Sequence, residues 1–333
     1  MENIFDLERY PIADSDHPLT IDLINKTKEE LESIGCAVIP GFIKPQSLLR
    51  MNAEAEKKLG GIHWTSDGNN PYFTKDDPEL PEEHPKRFFE ERKSGYITSD
   101  NLDPDSDLHT IFQSLELREF LRRVLGLEQL FCFADPIAKH PYSIMTEGHY
   151  FPWHFDGNEF TFSILIKETE EGGLFEFVPD IRKPGDENLE SVKSILKGSR
   201  DRVRSLKLKP GDMQLFKGRY SLHRVTRVRG KINRIIALPS YTIHPGMMNR
   251  PEHSIQVYGK SLPIQYEREN IRSDNLIDLS GRLQQYQRFL SQNSGSGQQG
   301  NHHSEKSHPG DTHRTVEPCW VPKTFKNLPR QGI

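Results

Sequence analysis

The 333-residue sequence is poor in cysteine: only Cys36, Cys132 and Cys319 occur. Three scattered thiols make neither a disulfide framework nor a CxxC metal clip, which suits a reducing, cytoplasmic compartment. No apolar run approaches the roughly 20 residues that a bilayer-spanning helix requires. The opening stretch MENIFDLERYPIADSD is acidic and has no apolar core, so no signal peptide is expected. An excess of charge of one sign is also missing. Lys and Arg number 44 and Asp and Glu 48, a net charge of −4. Such a chain has no global field with which to hold nucleic acid or an anionic membrane. Gly172-Gly173 and Pro210-Gly211-Asp212 read as turn punctuation, since no GxxxxGK follows them. Hydrophobic residues make up only 34%, but the length still permits a substantial core. What survives is a soluble intracellular protein.

The first third reads as helices with one strand. In 20–34, Leu23, Ile24, Leu31 and Ile34 fall on one helical face, and Gly35 can end it. CAVIPGFI (36–43) predicts a buried strand, and Pro45 opens a helix through about Leu59. Residues 62–105, rich in Pro, Gly, Asp and charge, predict long irregular connections. Two short helices follow within 106–126. After Gly126 the texture changes to about eight short aromatic and β-branched runs between Gly, Pro, Asp and Asn. With no regular helix alternating between them, these predict an antiparallel double-sheet barrel or jelly roll. A helix is expected to interrupt it at 186–200, and helices at 262–290 to close the domain. From Ser291 the chain is polar and low in complexity. Residues 291–333 are therefore expected to be a disordered tail, its His302, His303, His308 and His313 solvated.

The most informative stretch is HYFPWHFDGNE (149–159). On a strand, residues i and i+2 share a face, so His154 and Asp156 converge on one point. His223, in RYSLHRVTRV, supplies a third ligand from a later strand. Two neutral imidazoles and one carboxylate on one face of a metal leave the opposite positions open, the arrangement of non-haem Fe(II) oxygenases. An isolated HxD is weak; the sequel strengthens it. Arg234 lies eleven residues after His223 in an apolar setting, INRIIALP. If Arg229-Gly230 turns a hairpin, Arg234 points to the same side as His223, displaced by roughly 7 Å. Its planar guanidinium suits the far carboxylate of a five-carbon 2-oxo diacid.

HFD, His223 and Arg234 resemble the Fe(II)/2-oxoglutarate-dependent dioxygenases, over about residues 20–280. HYFPWHFDGNEFTFSILI, EEGGLFEFVPDIR and LKPGDMQLFKGRYSLHRVT are similar to the small-molecule branch containing bacterial amino-acid hydroxylases and radical halogenases. The resemblance implies a double-stranded β-helix, cupin-like domain over 1–290 with its β core at about 128–245. It also implies His154, Asp156 and His223 as iron ligands and Arg234 as the 2-oxoglutarate anchor. Fe(II), 2-oxoglutarate and O₂ would be the reagents, with ascorbate a stimulant and a small molecule, such as an amino acid or amine, the substrate. Halogenases of that branch have Gly or Ala where this chain has Asp156, leaving room for chloride. The carboxylate here favours hydroxylation, desaturation or ring formation over halogenation.

Around this set, Asn158 and Glu159 are expected at the barrel mouth, Glu159 either to meet a substrate ammonium or to stand as a solvated loop carboxylate. Arg219 shares the parity of His223, which leaves two readings, inward against a carboxylate of the substrate or the 2-oxo acid, or a surface salt bridge. Trp153 and Phe155 should alternate to the opposite face and pack in the core, and His149 should be structural or support a ligand. Two other readings compete with a small-molecule oxygenase: a protein or peptide hydroxylase, and a non-catalytic cupin-like binding module.

Overall fold

The computed structural model describes residues 4–267 together with Leu276 and Ile277. The helix Pro18–Ile34 buries Thr20, Ile24, Thr27 and Leu31 and ends where Gly35, at φ 79°, donates its N–H to Leu31 O. A side chain would make that left-handed conformation costly, so the glycine is what stops the helix. The chain enters the strand Cys36–Ile39 and then the helix Pro45–Lys57, with proline in its first turn. The two short helices, Asp107–Gln113 and Leu115–Val124, begin at Ser106 and Ser114, whose side chains accept N–H groups of their first turns. Apolar residues of these helices join Phe162, Ile164, Leu215 and Ile235 in the largest core cluster, which covers one face of a sheet.

That sheet has seven strands. From edge to edge they are Cys36–Ile39, Met213–Phe216, Thr161–Lys167, Arg234–Ala237, Tyr142–Met145, Ser94–Ile97 and His63–Thr65. A second sheet has four: Arg204–Leu206, Phe175–Val178, Leu222–Val225 and Phe151–His154. All pairings in both are antiparallel. Side chains alternate across the small sheet. Phe175 and Phe177 pack with Phe216 of the large sheet, whereas Glu176 between them turns to Arg200 and Arg224. Trp153 and Phe155 pack with Val178, Ile181 and Val192 in a separate cluster, as their alternation with His154 predicts. Val192 belongs to the interrupting helix, Leu189–Leu196.

Two expectations are corrected. Residues 62–105 are not irregular throughout, since Ser94–Ile97 and His63–Thr65 extend the large sheet. And Arg229-Gly230 closes no hairpin between the strands of His223 and Arg234. Leu222–Val225 pairs with Phe175–Val178 and Phe151–His154, while Arg234–Ala237 pairs with Tyr142–Met145 and Thr161–Lys167. The connection crosses from one sheet to the other. Two helices follow the core, Pro251–Tyr258 and Pro263–Tyr266. The remainder of the expected closing helix and the 291–333 tail lie outside the described residues.

Candidate metal centre and adjoining cavities

His154 ends the strand Phe151–His154, and its Cα partner on the neighbouring strand is His223. Cross-strand pairing thus puts two imidazoles side by side, their ring centroids 4.1 Å apart. Asp156 follows just beyond the strand end, its N–H donating to Gly218 O. Its Oδ1 lies 3.6 Å from His154 Nε2 and 3.4 Å from His223 Nε2. One ligand atom from each of the three lies within 4.8 Å of the others. Among the described residues this is the one such group of His, Cys, Asp or Glu side chains.

The supporting contacts suit a metal. His154 Nδ1 is 2.8 Å from Pro152 O, and His223 Nδ1 is 2.8 Å from Ser221 O. A backbone carbonyl only accepts, so each Nδ1 carries the proton and each Nε2 presents a lone pair. Burial, with His223 alongside, depresses the His154 pKa well below its ordinary value, so the ring stays neutral. For Asp156 burial works in the opposite direction, but the two histidines and the Thr161 hydroxyl outweigh it and hold the carboxyl well below the usual range. Thr161 Oγ1 donates to Oδ2, leaving Oδ1 to face the imidazoles. A Cβ at Gly218 would stand 2.2 Å from Asp156 Oδ2 and 2.6 Å from Thr161 Oγ1. Any larger residue there would displace the carboxylate.

His154 and Asp156 line a cavity of about 210 Å³, and most of its other lining was not predicted. Arg92 is 1% exposed. Its Nε donates to Ser94 Oγ and one Nη to Tyr96 Oη, but Nη1 is buried without a hydrogen-bond partner. The guanidinium sits 4.2 Å above the Phe151 ring, which in turn lies 3.7 Å from the His154 ring. Tyr72 Oη and His253 Nδ1 line the same cavity and are likewise buried without partners. Burial pushes the His253 pKa down to about 4, so this imidazole is neutral. Asn158 also lines the cavity. Glu159 does not: it is buried, with Oε1 4.0 Å from His244 Nε2. Nor does Arg219, fully buried behind the wall with Nη1 3.5 Å from Gly157 O. His149 contacts Thr146 and the Trp64 ring, away from the metal group.

Arg234 lines a different cavity, of about 300 Å³, with Leu165, Phe175 and Leu208 among its walls. Phe175 faces His223, ring centroids 5.7 Å apart. Arg234 is 7% exposed, and its side chain makes no hydrogen bond or ion pair among the described residues. Burial lowers its pKa to about 10, which still leaves it charged at neutral pH. Buried cations almost always have a partner, and this guanidinium has the charge and the adjoining space to take an anion.

No curated protein matches the chain. Among solved structures, the 2OG-Fe(II) oxygenase-family oxidoreductase of Burkholderia pseudomallei shares 13% identity, covering 67% of this chain and 92% of that one, at a TM-score of 0.45. AviO1 of Streptomyces viridochromogenes shares 15%, covering 67% and 96%, at 0.45. HygX of Streptomyces hygroscopicus, solved with nickel, 2-oxoglutarate and hygromycin B, shares 13%, covering 65% and 86%, at 0.40. The model of the family described as Halogenase D matches residues 82–255, which hold the metal group, Arg92, Arg234 and His253. That match spans more than half of the sequence, and the chain belongs to the Halogenase D family.

Proposed function

We propose that this protein is an Fe(II)/2-oxoglutarate-dependent oxygenase that hydroxylates a C–H bond of a small molecule. The observation that carries this reading is the His154–Asp156–His223 group, with both Nε2 atoms and Oδ1 turned to one point beside a cavity. The strand order supports it. From Tyr142 to Ala237 successive strands fall in the large, small, large, small, small, large, small and large sheets, the winding of a double-stranded β-helix or jelly roll. The unpaired Arg234 supports 2-oxoglutarate: a planar guanidinium pairs with a carboxylate in two parallel bonds.

Iron with 2-oxoglutarate and O₂ supplies hydrogen abstraction from a C–H bond, with release of succinate and CO₂. The chain's own part is placement. The Pro152 and Ser221 carbonyls hold the imidazole tautomers, Thr161 selects which carboxylate oxygen faces the metal, and aromatic walls exclude water. Asp156 occupies the position at which a halide would need room, and its charge opposes one. Hydroxylation is therefore favoured although the family carries a halogenase name. In the metal cavity, Arg92 Nη1, Tyr72 Oη and His253 Nδ1 point to a substrate bearing an anionic oxygen group, such as a carboxylate. Seats this deeply buried suit a small molecule better than a peptide.

The test is aerobic incubation with Fe(II), 2-oxoglutarate and a panel of small carboxylic acids, amino acids among them. Iron-dependent succinate and a product heavier by one oxygen are expected. Arg92→Met should raise the substrate KM about ten-fold or more, the size of one charge-assisted bond, while the KM for 2-oxoglutarate holds. A chlorine isotope pattern in the wild-type product would overturn the hydroxylase assignment. Absence of iron-dependent succinate across the panel, even uncoupled from substrate, would overturn the oxygenase reading.

A further inference from the structure

Gly173 lies closer to Arg234 than a side chain would permit. Its φ is +60°, and a Cβ there would stand 2.8 Å from Arg234 Cδ, 3.0 Å from Thr169 Cγ2 and 3.4 Å from Arg234 Nε. The backbone has little freedom to retreat. Glu171 and Arg229 exchange backbone hydrogen bonds, and Thr226 N–H donates to Leu174 O. Leu174 N–H donates to Thr226 Oγ1, and Thr169 Oγ1 to Arg229 O. Arg234 is fixed from its own side by the strand pairing of Arg234 with Met145. The two adjacent glycines therefore do different work. At Gly172 (φ +74°) a Cβ would meet a backbone atom, Arg227 O, at 1.9 Å, as a tight turn explains. At Gly173 the nearest atom belongs to the Arg234 side chain, which a turn does not explain.

We propose that Gly173 is a positioning residue for Arg234: the missing side chain sets where the guanidinium sits in its cavity and so tunes affinity for the distal carboxylate of 2-oxoglutarate. The inference rests on the reading of Arg234 as the anchor. A bidentate pair is directional, so displacing the stem by a fraction of an ångström misaligns both of its bonds. Glu170 and Glu171, at the rim of this cavity, are held by Lys231 N–H and Arg229 respectively. Glu168 lines the cavity as well, exposed to solvent and without an ion pair to Arg234, and the buried wall is apolar, with Leu165, Phe175 and Leu208.

The experiment measures 2-oxoglutarate binding by calorimetry to the full chain loaded with Mn(II), so that no turnover is needed. Gly173→Ala should weaken binding about ten-fold with Mn(II) affinity unchanged. In an Arg234→Gln background the same substitution should add no further loss, because the two act through one contact. Gly173→Asn carries the same Cβ on a residue that tolerates left-handed φ, and it replaces the alanine variant if that one fails to fold. Unchanged affinity in Gly173→Ala or Gly173→Asn overturns the proposal. So does an equal loss in both backgrounds, which would be backbone strain alone. If Arg234→Gln itself leaves 2-oxoglutarate affinity intact, the anchor reading falls first and this inference with it.

Discussion

The two buried cavities handle charge in opposite ways. In the metal group the Asp156 carboxylate and two neutral imidazoles turn three acceptor atoms to one point, with the Thr161 hydroxyl donating to the other carboxylate oxygen. Around Arg234 a buried cation makes no ion pair among the described residues, the glutamates of its cavity being exposed to solvent. The first arrangement is a set of donors held in place by backbone carbonyls and a hydroxyl, ready for a cation. The second holds an unsatisfied charge at some expense in stability until an anion arrives. Preformed ligands and a waiting cation are different ways to prepare a site, and they should fail differently.

The metal group should fail in chemistry and not in folding. His154→Ala or His223→Ala removes a ligand but leaves the two larger apolar clusters intact, His223 touching only the small cluster of Phe175 and Phe216. Iron-dependent succinate formation is expected to fall by at least about a hundred-fold, more than loss of a supporting partner costs. The circular dichroism spectrum should match the wild type. Substantial turnover in either variant would show that the three residues are not the ligand set.

Arg234→Gln should give the reverse pairing of effects. Affinity for 2-oxoglutarate is expected to fall about ten-fold or more, with iron binding retained. The ligand-free protein should gain stability, because a lone buried charge has been removed. A gain of about 1 kcal/mol would raise Tm by roughly 2–4 °C. A lower Tm in thermal unfolding would mean that the guanidinium already has a partner, and the contrast between the cavities would collapse.

The contrast was only half visible in the sequence. His154 and Asp156 could be paired because strand alternation is local and needs two residues to express it. His223 does join the metal group, and Arg234 lines a neighbouring cavity, but not through the hairpin geometry that the spacing suggests. Parity counting assumed a hairpin, whereas the eight residues between Val225 and Arg234 carry the chain from one sheet to the other. Residue spacing alone does not distinguish a turn from a crossover of that length. The amphipathic helix at 18–34 and its glycine stop were legible for the same local reason as HxD. Arg92, Tyr72 and His253 were missed. They come from a segment before the core strands and a helix after them, and no periodicity joins such distant positions. Glu159 and Arg219 had the right neighbours in sequence, yet both are buried away from the cavity. In sequence Gly173 is indistinguishable from Gly172 as turn punctuation; only the position of the Arg234 stem separates them.

The smallest expected effect concerns a third buried site, far from both cavities in its consequences. His140 is 1% exposed, with Nε2 3.0 Å from His109 Nδ1 and its own Nδ1 buried without a partner. Burial, with Lys139 and His109 nearby, pushes its pKa down to about 3. In the unfolded chain the ring titrates near its ordinary value of about 6.5. Between those values the unfolded state binds a proton that the folded state refuses, so acid favours unfolding. The stabilising contribution is complete above about pH 6.5 and is lost as pH falls towards 3. At roughly 1.4 kcal/mol per pH unit, the loss between pH 7 and 5 is about 2 kcal/mol. His140→Phe keeps a ring against Phe112, which now meets His140 edge-on at 4.9 Å, and removes the titration. Urea melts at pH 7 and pH 5 should show the variant losing about 2 kcal/mol less than the wild type. Equal losses would mean that water or a rearranged His109 already satisfies the ring, and that this burial is not felt as a charge penalty.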